Sequence, residues 1–410
     1  MAGKQAKRQE LEVHLGAGAQ VVGRLLFSSG KRSAFRYDEQ WLQSDRYFAV
    51  SPDLQPVLTV QHPAGVYFRS LEDTGPDSWG ERVIRRAHAK RREKERDAPP
   101  LDPVDYLTWV DDEARIGALR LFDPEQRIYL HTAGVHRRVP PLVELGKVLH
   151  AAQALEDGTE SAEDLQYLIG RGTSLGGARP KSTVLDTDGW LALGKFPSQA
   201  DKRDVVRGEV LAMHLAAKAG IRVADARVAM IDDTAVAVIR RFDRTANGAR
   251  IPYMSAATML LVDGREEEHA YTELVDVLLK EGSRAIADIQ DLWRRLVFNF
   301  LICNTDDHLH NTGLLYDARG KGWRLAPAFD LNPMPGDRRE SKTWLTEDSG
   351  LIDSKRTLMD GAQYFRLTRQ DAATIWAQVE AAVSTWRNVG LQLGMSSSAL
   401  VDFAPAMELR

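Results

Sequence analysis

The sequence predicts an α+β fold in which a small N-terminal α/β subdomain precedes a two-lobed core whose second lobe is mainly helical. Three observations lead there. Strand-like runs crowd the start of the chain, LEVHLG from Leu11 and VVGRLLF ending at Phe27. Two more short runs, TVLD ending at Asp186 and WLALGKF starting at Trp190, are separated by a glycine-containing turn and read as paired strands. Helical periodicity dominates the later sequence, as in Asp291 to Cys303, where Leu292, Leu296 and Phe300 fall on one line with Trp293, Val297 and Leu301 beside it.

In chain order, residues 1–8 are polar and read as a flexible tail, and residues 9–125 as the first subdomain. It contains the two opening strands, YDEQW, a proline-marked loop, a strand-like VLTVQ at Val57 to Gln61, and then helical material. Glu81 to Arg96 is rich in arginine and lysine, but Glu93 and Glu95 interleave, so it reads as a solvated helix face and as the best surface for an acidic partner. Pro140 and Pro141 mark a joint, and residues 140–248 form the small lobe. There, Leu142 to Leu155 and Ser161 to Ile169 look helical and lead into a glycine loop, and Val205 to Gly220 is an amphipathic helix stopped by glycine. VAVIRRFDR, Val236 to Arg244, reads as a strand and hinge into the helical lobe, residues 249–410, filled by helices at Tyr271 to Glu281 and Gln370 to Trp386.

Composition narrows the function classes. A chain of 410 residues with 43% hydrophobic residues is ordinary for a soluble protein of two or three domains. A net charge of −4 carries no general nucleic-acid signature, so unaided DNA binding is not expected. Cys303 is the only cysteine, which precludes an intrachain disulfide and suits a reducing cytoplasm. No apolar run approaches a membrane span, and no signal peptide is evident.

The chemistry concentrates in NTDDHLHNTGLLYDARGKGWRLAPAFDLNP, Asn304 to Pro333. Asp306 and Asn311 have the D-x-x-x-x-N spacing of a kinase catalytic loop. GLLYD and WRLAP flank glycines that suit a hairpin turn, so Asn311 enters a hairpin and Asp330 leaves it, and the two could share one Mg²⁺ site. Taken alone, Asp306, Asp307 and Asn311 would more often be turn and helix caps. A second signal lies upstream. In GTSLGGARPKSTV, Gly172, Gly176 and Gly177 allow backbone N–H groups to approach an anion, Lys181 closes the loop, and Lys195 on the second strand can reach phosphates as a point charge. The loop matches neither the Walker A nor the dinucleotide pattern. Glu209 suits a kinase-type pairing with Lys195, but Asp204 competes and glutamates usually face solvent, so it is not assigned to the site. A glycine loop, a strand lysine, a catalytic-loop Asp and Asn, and then a metal Asp is a protein-kinase-like order.

These residues resemble the HipA-type serine/threonine kinases, the toxin halves of bacterial toxin–antitoxin pairs. The resemblance covers most of the chain: VVGRLLF, FRYDEQWL, PDSWGERVIRR, RIGALRLF, the Ser174 to Lys181 loop, RRFDR, NTDDHLHN and AFDLNP. It implies a protein-kinase-like core, ATP and Mg²⁺ as cofactors, Asp306 as catalytic base, and Asn311 and Asp330 as metal ligands. His308 would line the nucleotide side of the loop. Gly176, Gly177, Ala178, Arg179, Pro180 and Lys181 would form the phosphate loop, Lys195 would contact phosphate, and Arg240, Arg241 and Phe242 would form the hinge against adenine. Ser174 matches the serine that such kinases autophosphorylate to switch themselves off. The family's protein substrates include aminoacyl-tRNA synthetases, and its partner is a small helix-turn-helix antitoxin through which DNA is reached indirectly. The loop departs from the best-characterised members, which carry Gln and Glu where this chain has Arg179 and Pro180, and Pro180 removes an N–H donor. Two other readings compete: a small-molecule kinase, and a catalytically silent protein acting with an antitoxin.

Overall fold

In a computed structural model, the structure describes residues 9–18, 20–27, 32–130, 139–169, 177–262, 268–336 and 339–408. It is a mixed helix and sheet protein that divides into two compact units, Met1–Gly194 with Asp243–Met254, and Lys195–Phe242 with Ser255–Arg410.

The first unit is built on a sheet of order β3-β2-β1-β4-β5 from β1 (Gln9–Leu15), β2 (Gln20–Phe27), β3 (Ser33–Tyr37), β4 (Leu119–Asp123) and β5 (Ile128–Tyr129). Its strands pair antiparallel, and alternation turns Leu11, Val13, Val22, Leu25, Phe35, Leu119 and Leu121 into one core with Trp41 and Leu107. YDEQW splits between β3 and the short α1 (Glu39–Leu42), because Asp38 accepts from Gln40 N at 2.9 Å and caps that helix. VLTVQ is not a strand. Pro56 and Pro63 bracket it, Gln61 bridges to Phe35 only, and Val57, Leu58 and Val60 stand exposed.

Helices α2 (Arg69–Glu72), α3 (Ser78–Lys94) and α4 (Pro103–Thr108) follow, then α5 (Leu145–Asp157) and α6 (Ala162–Leu168). The basic α3 carries pairs Arg85–Glu81 and Arg91–Glu95 on its exposed side, as a solvated face does. Its Arg86 anchors inward instead, to the buried Glu160 at 2.7 Å. β6 (Lys181–Leu185) and β7 (Leu191–Lys195) are the expected adjacent strands.

The RIGALRLF and FDR segments are stitched together by buried charge. Arg115 donates to the carbonyls of Thr74, Leu107 and Val110 at 3.0, 2.9 and 3.1 Å. Arg244 donates to those of Arg115 and Gly117 at 2.9 and 3.2 Å, while Gly117 N donates to Asp243 at 2.7 Å. Gly117 sits at φ +72 with Tyr253 Cβ 3.2 Å from where its own Cβ would lie, so any side chain there would be both strained and crowded. Nearby, burial pushes the Asp111 carboxyl up to about 7, against hydrogen bonds from Glu113 N and Ala114 N. A carboxyl whose folded pKa is raised binds its proton more tightly when folded. Its stability contribution is therefore full below about pH 4, the unfolded value, and lost as pH rises through about 7. Asp111→Asn, which keeps the Oδ1 acceptor, should raise stability at pH 8 by on the order of 2–4 kcal/mol and flatten the pH 4–8 dependence. Denaturant melts of both proteins at pH 5 and pH 8 check this; an equal effect at both pH values would contradict it.

The second unit holds α7 (Val205–Lys218), the antiparallel pair β8 (Ala226–Ile231) and β9 (Thr234–Arg240), and, after β10 (Tyr253–Ser255), α8 (Ala256–Met259), α9 (Tyr271–Glu281) and α10 (Ala285–Leu301). The predicted hairpin is β11 (Gly313–Asp317) and β12 (Gly322–Leu325), with Leu314 opposite Leu325 and Asp317 opposite Gly322. β13 (Trp344–Thr346) and β14 (Gly350–Leu351) form a second hairpin, followed by α11 (Lys355–Gly361), α12 (Arg369–Val383), α13 (Trp386–Gln392) and α14 (Ser397–Met407). Among the described residues no helix is long and apolar enough to cross a membrane.

Candidate active site

Helix α10 delivers the acidic loop. Leu292, Trp293, Leu296 and Val297 are buried, which fixes the helix, and it ends where Cys303 turns to φ +54 and Asn304 N donates back to Asn299 O at 2.8 Å. The adjacent aspartates then face opposite ways. Asp307 is buried: it accepts from Tyr271 Oη at 2.9 Å and Lys342 N at 2.6 Å, and its carbonyl accepts from Thr343 Oγ1 at 2.9 Å. Burial pushes its pKa up to about 6 although these hydrogen bonds oppose the shift. Asp307 is thus the loop's internal fastener. Asp306 faces solvent with its side chain 38% exposed, contacted by the Lys342 ammonium, and His308 Nε2 lies 4.0 Å away. Asn311 Nδ2 donates to Asp306 O at 2.8 Å and closes the loop on itself. That leaves Asn311 Oδ1 as its ligand-type atom. Beyond it, Ala326 N donates to Gly313 O at 2.8 Å, so the hairpin draws together the chain segments that carry Asn311 and Asp330.

A second cluster gathers at the end of β7. Lys195 Nζ donates to Glu209 Oε1 at 2.5 Å and to Asp330 Oδ1 at 2.7 Å. Burial alone would disfavour the ammonium, but the carboxylates of Asp330 and Glu209 outweigh it and hold the lysine pKa above its ordinary value. Asp330 sits in the left-handed region at φ +56, a conformation Asp tolerates better than most side chains, and Asn332 Nδ2 reaches its Oδ1 at 3.3 Å. The phenyl rings of Phe242 and Phe329 stack tilted at 5.4 Å, placing Phe242 against the residue before Asp330. Arg240 ends β9 with its N donating to Asp225 O at 2.7 Å, and Arg241 is buried.

Glu209 is the residue that sequence reasoning left out. Asp204, its competitor, is occupied as the cap of α7, accepting from Arg207 N at 3.0 Å and pairing with the Arg207 guanidinium at 2.7 Å. Glu209 lies on the buried side of α7, one of the few polar residues in an apolar stripe, and that was the available signal. Lys342 and Tyr271 had no such signal, since neither stands in a local motif with the acidic loop.

In the first unit, Gly177 adopts φ +101, a left-handed conformation that favours glycine, and Gly177, Ala178 and Arg179 are exposed while Pro180 is buried. Lys181 opens β6 and is buried in an ion pair with Asp77, the cap of α3, at 2.7 Å. Ser174 and Gly176 lie outside the described residues.

Comparison with known proteins places the chain in a family. The chain is 28% identical to Y4mE of Sinorhizobium fredii, a protein named as a candidate kinase, over 234 residues, 52% of this chain and 54% of that one. It is 39% identical to Y4dM of the same organism, named likewise, over 94 residues, 23% and 22% of the respective chains. The chain therefore spans about half the length of the first of these relatives and less of the second. A chain of the Shewanella oneidensis HipA, HipB and operator DNA complex shares the fold, with a TM-score of 0.67 at 15% identity and coverage of 97% of this chain and 95% of that one. The HipA N-terminal domain matches residues 11–121, and the HipA-like C-terminal domain matches residues 173–386, the stretch that holds both site clusters. The chain belongs to the HipA family.

Proposed function

We propose that the chain is an ATP-dependent serine/threonine protein kinase of HipA type and the toxin half of a toxin–antitoxin pair. The observation that carries this reading is Lys195 held between Glu209 and Asp330, in the same unit as a solvent-facing Asp306 fixed by its buried neighbour Asp307. That is the lysine–glutamate and aspartate arrangement that phosphoryl transfer uses to place ATP phosphates and an acceptor hydroxyl.

In the reaction, the acceptor oxygen forms a bond to the γ-phosphorus, the bond from that phosphorus to the β,γ-bridging oxygen breaks, and ADP leaves. Asp306 orients the hydroxyl and takes its proton. Lys195 offers its charge to the phosphates. Phe242, backed by Phe329, gives the adenine an apolar face, with Arg240 and Arg241 beside it in sequence and His308 lining the loop. Asn311 and Asp330 would hold Mg²⁺ through an amide and a carboxylate oxygen, a small hard-oxygen set of the kind Mg²⁺ completes with phosphate and water, and bound Mg²⁺ neutralises phosphate charge.

From the resemblance we also assign Gly176 to Lys181 to phosphate binding, Ser174 to autophosphorylation, and residues 9–125, 140–248 and 249–410 to the N-terminal subdomain, small lobe and helical lobe. The partner we propose is a small helix-turn-helix antitoxin, supported by the presence of HipB and operator DNA in the Shewanella complex. The site of action is the cytoplasm and the acceptor a protein, with aminoacyl-tRNA synthetases as first candidates. Calorimetry tests the nucleotide site: removing Mg²⁺ or introducing Asp330→Ala should each weaken ATP binding by about tenfold or more. Unchanged affinity in both cases would remove Asp330 from the metal site.

A further inference from the structure

One contact in the site has no counterpart in the motifs that identify it. The segment Ser341 to Thr346 crosses the acidic loop and is pinned from both sides. Trp344 N donates to His269 O at 2.9 Å, Ser341 N to Ile352 O at 3.1 Å, and Thr343 Oγ1 to Asp307 O at 2.9 Å. Within it, Lys342 engages both aspartates. Its backbone N donates to the buried Asp307 Oδ1 at 2.6 Å, while its ammonium contacts Asp306 Oδ1. The two ends of the residue have different physical meanings. The backbone bond is buried and structural. The side-chain ion pair is open to solvent, with Lys342 57% and Asp306 38% exposed, and such pairs contribute only about 0–1 kcal/mol to folding. Stability therefore does not explain why a long, flexible lysine is spent on this carboxylate.

We propose that Lys342 is a positioning residue for phosphoryl transfer. Its ammonium orients the Asp306 carboxylate toward the acceptor hydroxyl. This rests on the kinase reading above and deepens it. The backbone bond to Asp307 explains how a residue so distant in sequence reaches the base with its Cα fixed: the loop's internal fastener is also the anchor for the lysine. Once an acceptor covers the site, water leaves and the Lys342–Asp306 interaction strengthens, so its effect appears in turnover rather than in the resting protein.

The test follows label leaving γ-labelled ATP in Mg²⁺, whether to protein hydroxyls or to water, for wild type, Lys342→Met, Lys342→Arg, Asp306→Asn and the Lys342→Met/Asp306→Asn pair. Lys342→Met should lower kcat about 100-fold with KM for ATP within about threefold and an unchanged melting temperature. Lys342→Arg should recover at least a tenth of the rate. The double variant should be no slower than Asp306→Asn alone, because the lysine acts through that carboxylate. A Lys342→Met enzyme within twofold of wild type, or a double variant whose losses multiply, would overturn the inference while a slow Asp306→Asn leaves the kinase reading standing. Wild type that releases no label from ATP would overturn both.

Discussion

Replacing Lys195 by methionine is expected to reduce phosphoryl transfer by about 10³-fold and folding stability by about 2–4 kcal/mol, because one side chain serves two carboxylates. In the folded chain its ammonium lies 2.5 Å from Glu209 and 2.7 Å from Asp330, with Glu209 almost fully enclosed. Removing the cation leaves two nearby anions in a poorly solvated place. One or both must then take up a proton or rearrange. Asp330 would move away from the position proposed for holding Mg²⁺, so ATP affinity should fall together with rate. Single-turnover kinetics, ATP titration and a denaturant melt on the same preparation separate these effects. Glu209→Gln should lose less of each, since Asp330 still compensates the lysine. Activity of Lys195→Met within a few-fold of wild type would show that this lysine is an internal ion-pair partner only.

Asp306→Ala is expected to retain ATP affinity within a few-fold and to lose transfer by about 10³-fold or more, as a base that also positions the acceptor does when removed. The structure sharpens the contrast with its neighbour. Asp307→Ala removes the acceptor for Tyr271 Oη and Lys342 N inside the protein, so it should lower stability as well as rate. Two adjacent aspartates thus predict two different phenotypes. A melt and a rate measurement on each variant check the assignment, and an active, stable Asp306→Ala would contradict it.

Much of this site was legible in the sequence for local reasons. Asp306 and Asn311 belong to one loop, closed by the Asn311 Nδ2 bond to Asp306 O, and the β11–β12 hairpin that follows is announced by short strands around glycines, so near-neighbour rules suffice. The same holds for α10, whose buried Leu292, Leu296 and Val297 declare their face by spacing. Pairing choices across long separations were not legible. Glu209 and Asp204 lie on one helix and differ only in which carboxylate turns inward. Depth in the fold decides that, and periodicity hints at it without naming the partner. Lys342 reaches Asp306 only because the segment leading into β13 is held by Asp307 and β13 itself by His269, a tertiary arrangement with no sequence signature. VLTVQ failed in the opposite direction. Its β-branched residues favour a strand, but flanking prolines and a single bridging residue leave it as an exposed loop.

The central claim is that this chain moves the γ-phosphoryl of ATP to a protein hydroxyl with Asp306 as base. The direct measurement incubates wild type and Asp306→Ala separately with γ-labelled ATP, Mg²⁺ and a cell extract, then maps label and phosphosites by mass spectrometry. Phosphoserine or phosphothreonine is expected on at least one protein in the wild-type reaction, absent with Asp306→Ala. Label confined to small molecules, or protein phosphosites identical in the two reactions, would contradict it.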